Sequence, residues 1–143
     1  MNRLKMVDFW TRQEVERDST SVYLFGDNIK DSVPDAEGKY FVPKTTQAVI
    51  RGLSNAIGVP TKKTRGTSKD AYFYDTAADF ELFKKGVDAA MTKAKAAMRD
   101  GKTIKMSSAG LGSGAAAEGG VFQIDGGGRF LDYLYTRLGE LTK

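Results

Sequence analysis

Thr103-Ile104-Lys105-Met106-Ser107-Ser108-Ala109-Gly110-Leu111-Gly112-Ser113-Gly114, residues 103–114, is the stretch whose reading decides the fold. Its first five residues are short, mostly β-forming and apolar at alternate positions, which predicts a strand. The strand runs straight into glycines spaced by two. Glycine adopts backbone conformations closed to other residues, so such a loop can turn its N–H groups inward and approach a ligand closely. A concavity of that kind suits phosphate oxygens, with the hydroxyls of Ser108 and Ser113 as further donors. A flexible surface loop is the competing reading. The loop is no P-loop, because no Gly-Lys-Ser/Thr closes it, and it lies too late in the chain, with the wrong spacing, for a dinucleotide fingerprint.

Working outward, Phe80, Phe83, Val87, Met91, Ala94 and Met98 recur every three or four residues. This predicts a long helix over 76–99 that ends at Asp100-Gly101. Phe130, Leu134, Leu138 and Leu141 predict a last helix over 129–141. Ser21 to Phe25 reads as a buried strand that stops in a Gly26-Asp27-Asn28 turn. Ala56 to Val59 reads as a strand ended by Pro60, and Ala71 to Tyr74 as a further possible strand. Thr45 to Leu53 can form a helix, Tyr40 to Pro43 a short extended piece, and Lys5 to Arg17 a short helix or an arm. Strands alternating with helices argue for a mainly parallel sheet covered by helices. Ligands of such sheets lie beyond the carboxyl ends of the strands.

Bulk properties fit one such domain over 1–143: the chain has 143 residues, 41% hydrophobic and 28% charged. No apolar run approaches the roughly 20 residues that cross a bilayer, and the first ten residues lack a signal-peptide core, so a cytoplasmic location is expected. There is no cysteine and no histidine. That removes disulfides, thiolate nucleophiles, the Ser-His-Asp triad, a histidine general base and the usual zinc site. Neither a metal nor a cofactor is called for. An enzyme built on this chain would work with carboxylates, lysine, hydroxyls, amides and backbone N–H groups. The net charge of +4 biases it toward anionic partners or is simply a solvated basic surface.

Two further groups reach the same sheet edge. Gly26-Asp27-Asn28, next to Phe25, can offer a carboxylate and an amide to a base or ribose, or form an Asx turn that satisfies only itself. Arg51, on the expected helix with Gln47, can pair with a phosphate. Thr61 and Lys62 follow the second strand, where Lys62-Lys63-Thr64-Arg65 can equally be a solvated basic loop. Tyr72, Phe73 and Tyr74 can stack on a base or fill the core.

Together, Phe25-Gly26-Asp27-Asn28, Arg51-Gly52, Asn55-Ala56-Ile57-Gly58-Val59-Pro60-Thr61-Lys62 and Gly110-Leu111-Gly112-Ser113-Gly114, in that order over about 21–141, resemble the macrodomain-like proteins of bacteria and phages. The resemblance implies a three-layer α/β/α fold with a cleft for ADP-ribose or a related nucleotide. It implies that Asp27 and Asn28 contact the base or ribose, that the loop of Gly110, Leu111, Gly112, Ser113 and Gly114 wraps the diphosphate and distal ribose, and that Gln47, Arg51 and Lys62 lie near the cleft. The family often carries Gly-Gly-Gln before its first helix; here only Gln47 keeps that pattern, after Tyr40-Phe41-Val42-Pro43-Lys44-Thr45-Thr46. This favours a binder over a hydrolase with Asp27 or Asn28 as catalytic candidates, and a nucleic-acid or protein module using Lys62 to Lys69 is the third reading. A phage protein that counters a host nucleotide signal is the setting the analogy suggests. Glutamate at Gly112 is expected to block the cradle and leave the fold intact.

Overall fold

The computed structural model describes residues 4–124 and 127–141; Gly126 of the glycine-rich stretch and Met1 to Arg3 of the N-terminal segment lie outside them. Four strands, β1 (Leu4–Val7), β2 (Ser21–Asn28), β3 (Ala56–Lys62) and β4 (Thr103–Ser107), form one sheet in the order β1-β4-β2-β3. Every pairing is parallel. Among the described residues four α-helices accompany them: α1 (Arg12–Arg17), α2 (Ala77–Arg99), α3 (Val121–Ile124) and α4 (Gly128–Glu140). The result is a three-layer α/β/α protein.

The layers follow from the strand sequences. β2 is buried at seven of its eight positions, as a central strand covered on both faces must be. Val22 and Leu24 point to one side, where Ile57, Val59, Ile104 and Met106 join Phe83, Val87 and Met91 of α2 and Phe130, Leu134 and Leu138 of α4. Tyr23 and Phe25 point to the other side, onto Trp10, Val15, Ala48 and Ile50. α2 begins where Thr76 accepts the Asp79 N–H (3.1 Å) and Asp79 accepts the Tyr74 N–H (2.8 Å). It comes close to the sheet at Gly86, where a Cβ would strike Pro60.

Several sequence expectations need correction. β2 does not stop at Phe25 but continues through Gly26, Asp27 and Asn28, because Gly26 pairs with Val59 and Asp27 with Pro60 before the register shifts. Cross-strand pairing outweighs the turn preference of Gly-Asp-Asn. β3 likewise runs through Pro60. It is an edge strand, where a missing N–H costs no ladder bond. The helix expected over 45–53 is a single 3-10 turn, Gln47–Ile50, ended by Gly52 at φ +89°. Residues 71–74 are not a strand: a 3-10 turn, Lys69–Ala71, leads into buried chain whose Phe73 carbonyl accepts the Val121 N–H (2.9 Å). The segment 5–17 divides into β1 and α1, the latter capped by Thr11.

Below the sheet, Asp18 ties three elements together. It accepts hydrogen bonds from Tyr23 Oη (2.6 Å), Lys105 Nζ (3.1 Å) and the N–H and hydroxyl of Thr20. Desolvation works to raise its pKa, but these donors outweigh it and hold the carboxyl well below its ordinary value. A depressed carboxylate stabilises the folded state fully above the ordinary aspartate range, about 4, and loses that contribution as the pH falls. Asp18→Asn should therefore cost about 1–3 kcal/mol at pH 7, a difference that shrinks in urea titrations as the pH drops below about 4. A deficit independent of pH would contradict this role.

Candidate functional site

The carboxyl ends of β2, β3 and β4 open into a cavity of about 660 Å³. One wall is the loop after β4. Gly110, Gly112 and Gly114 all have positive φ (+87°, +83° and +61°), so the chain turns through the left-handed region at every second residue. Ser107, Ala109, Ala115 and Ala116 complete that wall. The floor is the end of β2, and the far wall is Thr61 and Lys62 of β3 with Arg65 and Gly66 beyond. Phe41, Pro43 and Thr46 form the rim on the side of the 3-10 turn.

Gln47 sets the mouth. Its Oε1 accepts the Gly26 N–H (3.0 Å) and its Nε2 donates to the Gly110 carbonyl (3.2 Å). One side chain thus joins the end of β2 to the glycine loop after its neighbour β4. Gly110 also accepts from the Ser113 hydroxyl (3.1 Å), and the Leu111 N–H donates to Tyr135 Oη (3.1 Å). These bonds hold the loop from three directions.

Asp27 is occupied within the protein. Its Oδ1 accepts from Arg51 Nε (2.9 Å) and Nη2 (2.6 Å) and from the Asn28 N–H (2.8 Å). Both side chains are about 95% buried. Burial pushes the Asp27 carboxyl above its ordinary pKa, against the pull of Arg51 and of the Asn28 N–H. Arg51 Nη1 donates to the Phe41 carbonyl (2.6 Å). Arg51 therefore spends its guanidinium on fixing the end of β2 and the rim rather than on the open cavity. Asn28 is similarly engaged: its amide donates to Asp31 Oδ2 (2.9 Å) and accepts the Asp31 N–H (2.8 Å). Asp31 in turn pairs with Arg65 (2.9 Å), and the Arg65 guanidinium lies 3.6 Å from the centre of the Phe41 ring.

Lys62 differs from these cations. Its ammonium donates to the Gly66 carbonyl (2.6 Å) and lies over the Tyr72 ring at 5.0 Å. It enters no ion pair among the described residues. Burial lowers its pKa, partly offset by the charge of Glu118. An anion in the cavity would meet an ammonium that no carboxylate neutralises at close range.

Of the residues singled out by sequence, Gly26, Asp27, Asn28, Gln47, Arg51, Thr61, Lys62, Gly112, Ser113 and Gly114 line the cavity. Phe25 and Leu111 do not: both are core residues on opposite faces of the sheet. Ser108 points away and bonds Asp8 (3.0 Å), and Gly110 contributes through its carbonyl behind the wall. Tyr72 and Phe73 are core, not a free stacking surface. Sequence reasoning missed Asp31 and Phe41, and read Arg65 only as part of a basic run. None has a periodic or motif signal, and only the fold brings residues 31, 41 and 65 together. Gly112 also proves a poor place for a blocking substitution. A Cβ there would lie 2.8 and 2.9 Å from Phe122 ring atoms, at a φ that side chains resist, so glutamate at Gly112 would disturb the core as well as the cavity.

Fold and site together define an α/β protein with an open cleft at the carboxyl edge of a parallel sheet. The chain belongs to a family of unknown function, DUF7831, whose model matches residues 5–117. That span contains every residue lining the cavity. No curated protein and no solved structure matches the chain. Among the described residues no helix is long and apolar enough to cross a membrane.

Proposed function

We propose that the chain is a macrodomain-like binder of a phosphate-bearing nucleotide of the ADP-ribose type, held in the cavity between the 110–114 loop and the 26–28 strand end. The observation that carries this reading is the opposition of a loop with three left-handed glycines to an ammonium, Lys62, that is in no ion pair among the described residues. Backbone N–H groups beside a cation without a carboxylate partner suit phosphate oxygens; the Gly110 and Leu111 N–H groups are already given to the Ser107 carbonyl and Tyr135 Oη, so the donors for a ligand come from residues 112–114. The volume, about 660 Å³, falls within the roughly 300–1,000 Å³ of small-molecule sites. Sequestering or reading a nucleotide signal, as in a phage protein that counters host defence, is the role this binding would serve.

A hydrolase is the weaker reading. A general base must present a free carboxylate oxygen to the substrate. Asp27 Oδ1 already accepts three bonds, and Oδ2 turns toward Gly58, which lines the neighbouring groove and not this cavity. A nucleic-acid module is weaker too, since Lys63 is paired with Asp79 and Arg65 with Asp31.

Calorimetry with ADP-ribose, NAD, a cyclic dinucleotide and a short RNA tests the reading. At least one nucleotide should bind, and Lys62→Met should weaken it by about tenfold to a hundredfold, the worth of one charged hydrogen bond. Mass spectrometry of the recovered ligand should find it unchanged; a cleaved product would establish the hydrolase. No heat with any nucleotide, together with salt-sensitive RNA binding, would sink the proposal.

A further inference from the structure

A second cavity, of about 970 Å³, runs along the outer edge of β3. It shares only Asp27, Asn28 and Arg51 with the first, so the buried ion pair is the partition between them. Among the described residues β3 has no strand beyond it. The Tyr23 N–H donates to the Asn55 carbonyl (2.8 Å), which fixes the phase of the ladder. In a parallel pair alternate residues face the neighbour, so Ile57 and Val59 bond toward β2, and Ala56, Gly58 and Pro60 turn their backbone groups outward. The Ala56 N–H is taken by the Leu53 carbonyl (3.1 Å) and Pro60 has none. The edge therefore offers the Gly58 N–H and the carbonyls of Ala56, Gly58 and Pro60.

The walls of this groove are distinctive. Val33, Tyr40 and Leu82, exposed by 63%, 39% and 41%, all line it. Three large apolar side chains left in solvent around one open strand edge mark an interaction surface. On the α2 side lie Lys85, Ala89 and Lys93. Lys84 next to them is paired with Glu81, whereas Lys85 and Lys93 are exposed and enter no ion pair among the described residues. Asp100 at the far end is the one acidic lining residue outside the Asp27–Arg51 pair, so the groove is basic.

We infer that this edge takes an extended, acidic segment of a partner protein as a fifth strand, seated between β3 and α2. Strand addition supplies backbone bonds, and side-chain spacing supplies selectivity. Lys85 and Lys93 are eight residues apart on one helix, a rise of about 12 Å. Residues i and i+4 of a strand are separated by about 13 Å on one face. The pattern that fits is acidic at i and i+4, apolar at i+2 against Ala89, and apolar at i+1 and i+3 toward Val33 and Tyr40. A second copy of this chain fits less well. Edge-to-edge pairing would bring the lysines of both copies together, and Pro60 withholds a donor from each strand.

The test uses the full chain and a fluorescein-labelled peptide, Ser-Glu-Val-Val-Leu-Glu-Ser, with a control in which both Glu are Lys. Anisotropy should show saturable binding of the acidic peptide at least about tenfold tighter than the control. The double variant Lys85→Glu/Lys93→Glu should abolish that preference, and Ala115→Glu, in the other cavity, should leave it unchanged. In amide-resolved NMR the Gly58 N–H should shift and exchange more slowly when the peptide is added. Equal binding of both peptides, indifference to the lysine substitutions, or an unmoved Gly58 amide would each overturn the inference. So would light scattering that shows a dimer whose contact protects Gly58, which would give the edge to a second copy.

Discussion

Arg51→Met should destabilise the protein by about 3–5 kcal/mol, the usual consequence of removing one partner of a buried ion pair. Arg51 supplies two of the three hydrogen bonds to Asp27 Oδ1, and both side chains are almost wholly out of solvent. Without the guanidinium, Asp27 keeps only the Asn28 N–H. Phe41 loses the bond that fastens the rim, so both cavities lose their common wall. The charge, rather than lost packing, should dominate, and pH separates the two. Burial already raises the Asp27 carboxyl, and loss of Arg51 raises it further. A carboxyl whose folded-state pKa is raised favours folding at low pH and penalises it as the pH rises through that value. The deficit in urea unfolding should thus be full at pH 7 and smaller at pH 5. Neutralising the pair together, as Asp27→Asn/Arg51→Met, should recover much of the loss. A deficit below about 1 kcal/mol, the range of exposed pairs, or one that ignores pH, would mean that the pair does not hold the strand end.

Ala115→Glu should weaken nucleotide binding by more than about a hundredfold, some 2.7 kcal/mol, while stability stays within about 0.5 kcal/mol as for most surface substitutions. Ala115 is exposed and lines the cavity just past the glycine loop, and its position has no positive φ. A carboxylate there fills space and opposes the charge of a phosphate. Gly112→Glu makes the contrast. Its Cβ would press on the Phe122 ring at φ +83°, so it should lose about 1–3 kcal/mol of stability from overpacking alone, with backbone strain in addition. Thermal unfolding and calorimetry on both variants check the pair of expectations. Unchanged nucleotide binding in a folded Ala115→Glu protein would move the ligand away from the loop.

The elements that were legible in the sequence are those whose signal is local. The α2 stripe of Phe83, Val87, Met91 and Ala94 repeats at the helical period, and the helix begins at its Thr76 cap as expected. β4 and its glycine loop were legible because alternation and glycine spacing are properties of a few neighbouring residues. Gln47, Arg51 and Lys62 line the cavity, but what each does there was not visible in the sequence. Whether a guanidinium meets a ligand or a carboxylate depends on what lies across the sheet, and Asp27 is 24 residues away from Arg51.

The sequence by itself determined the class of the protein: a parallel α/β layer arrangement, no histidine or cysteine chemistry, and a glycine loop at the carboxyl edge. Tertiary structure decided the rest. It carried β2 past Gly-Asp-Asn and β3 past Pro60, because pairing with a neighbour outweighs turn preference. It reduced the expected helix over 45–53 to one turn, with Gln47 and Arg51 drawn to partners on β2 and the glycine loop. It also assembled Asp31, Phe41 and Arg65 from three loops. Periodicity and spacing report what one segment prefers. A pair brought together across the fold leaves no trace in either segment alone, so the loop could be read from residues 107–114 and the cavity it walls could not.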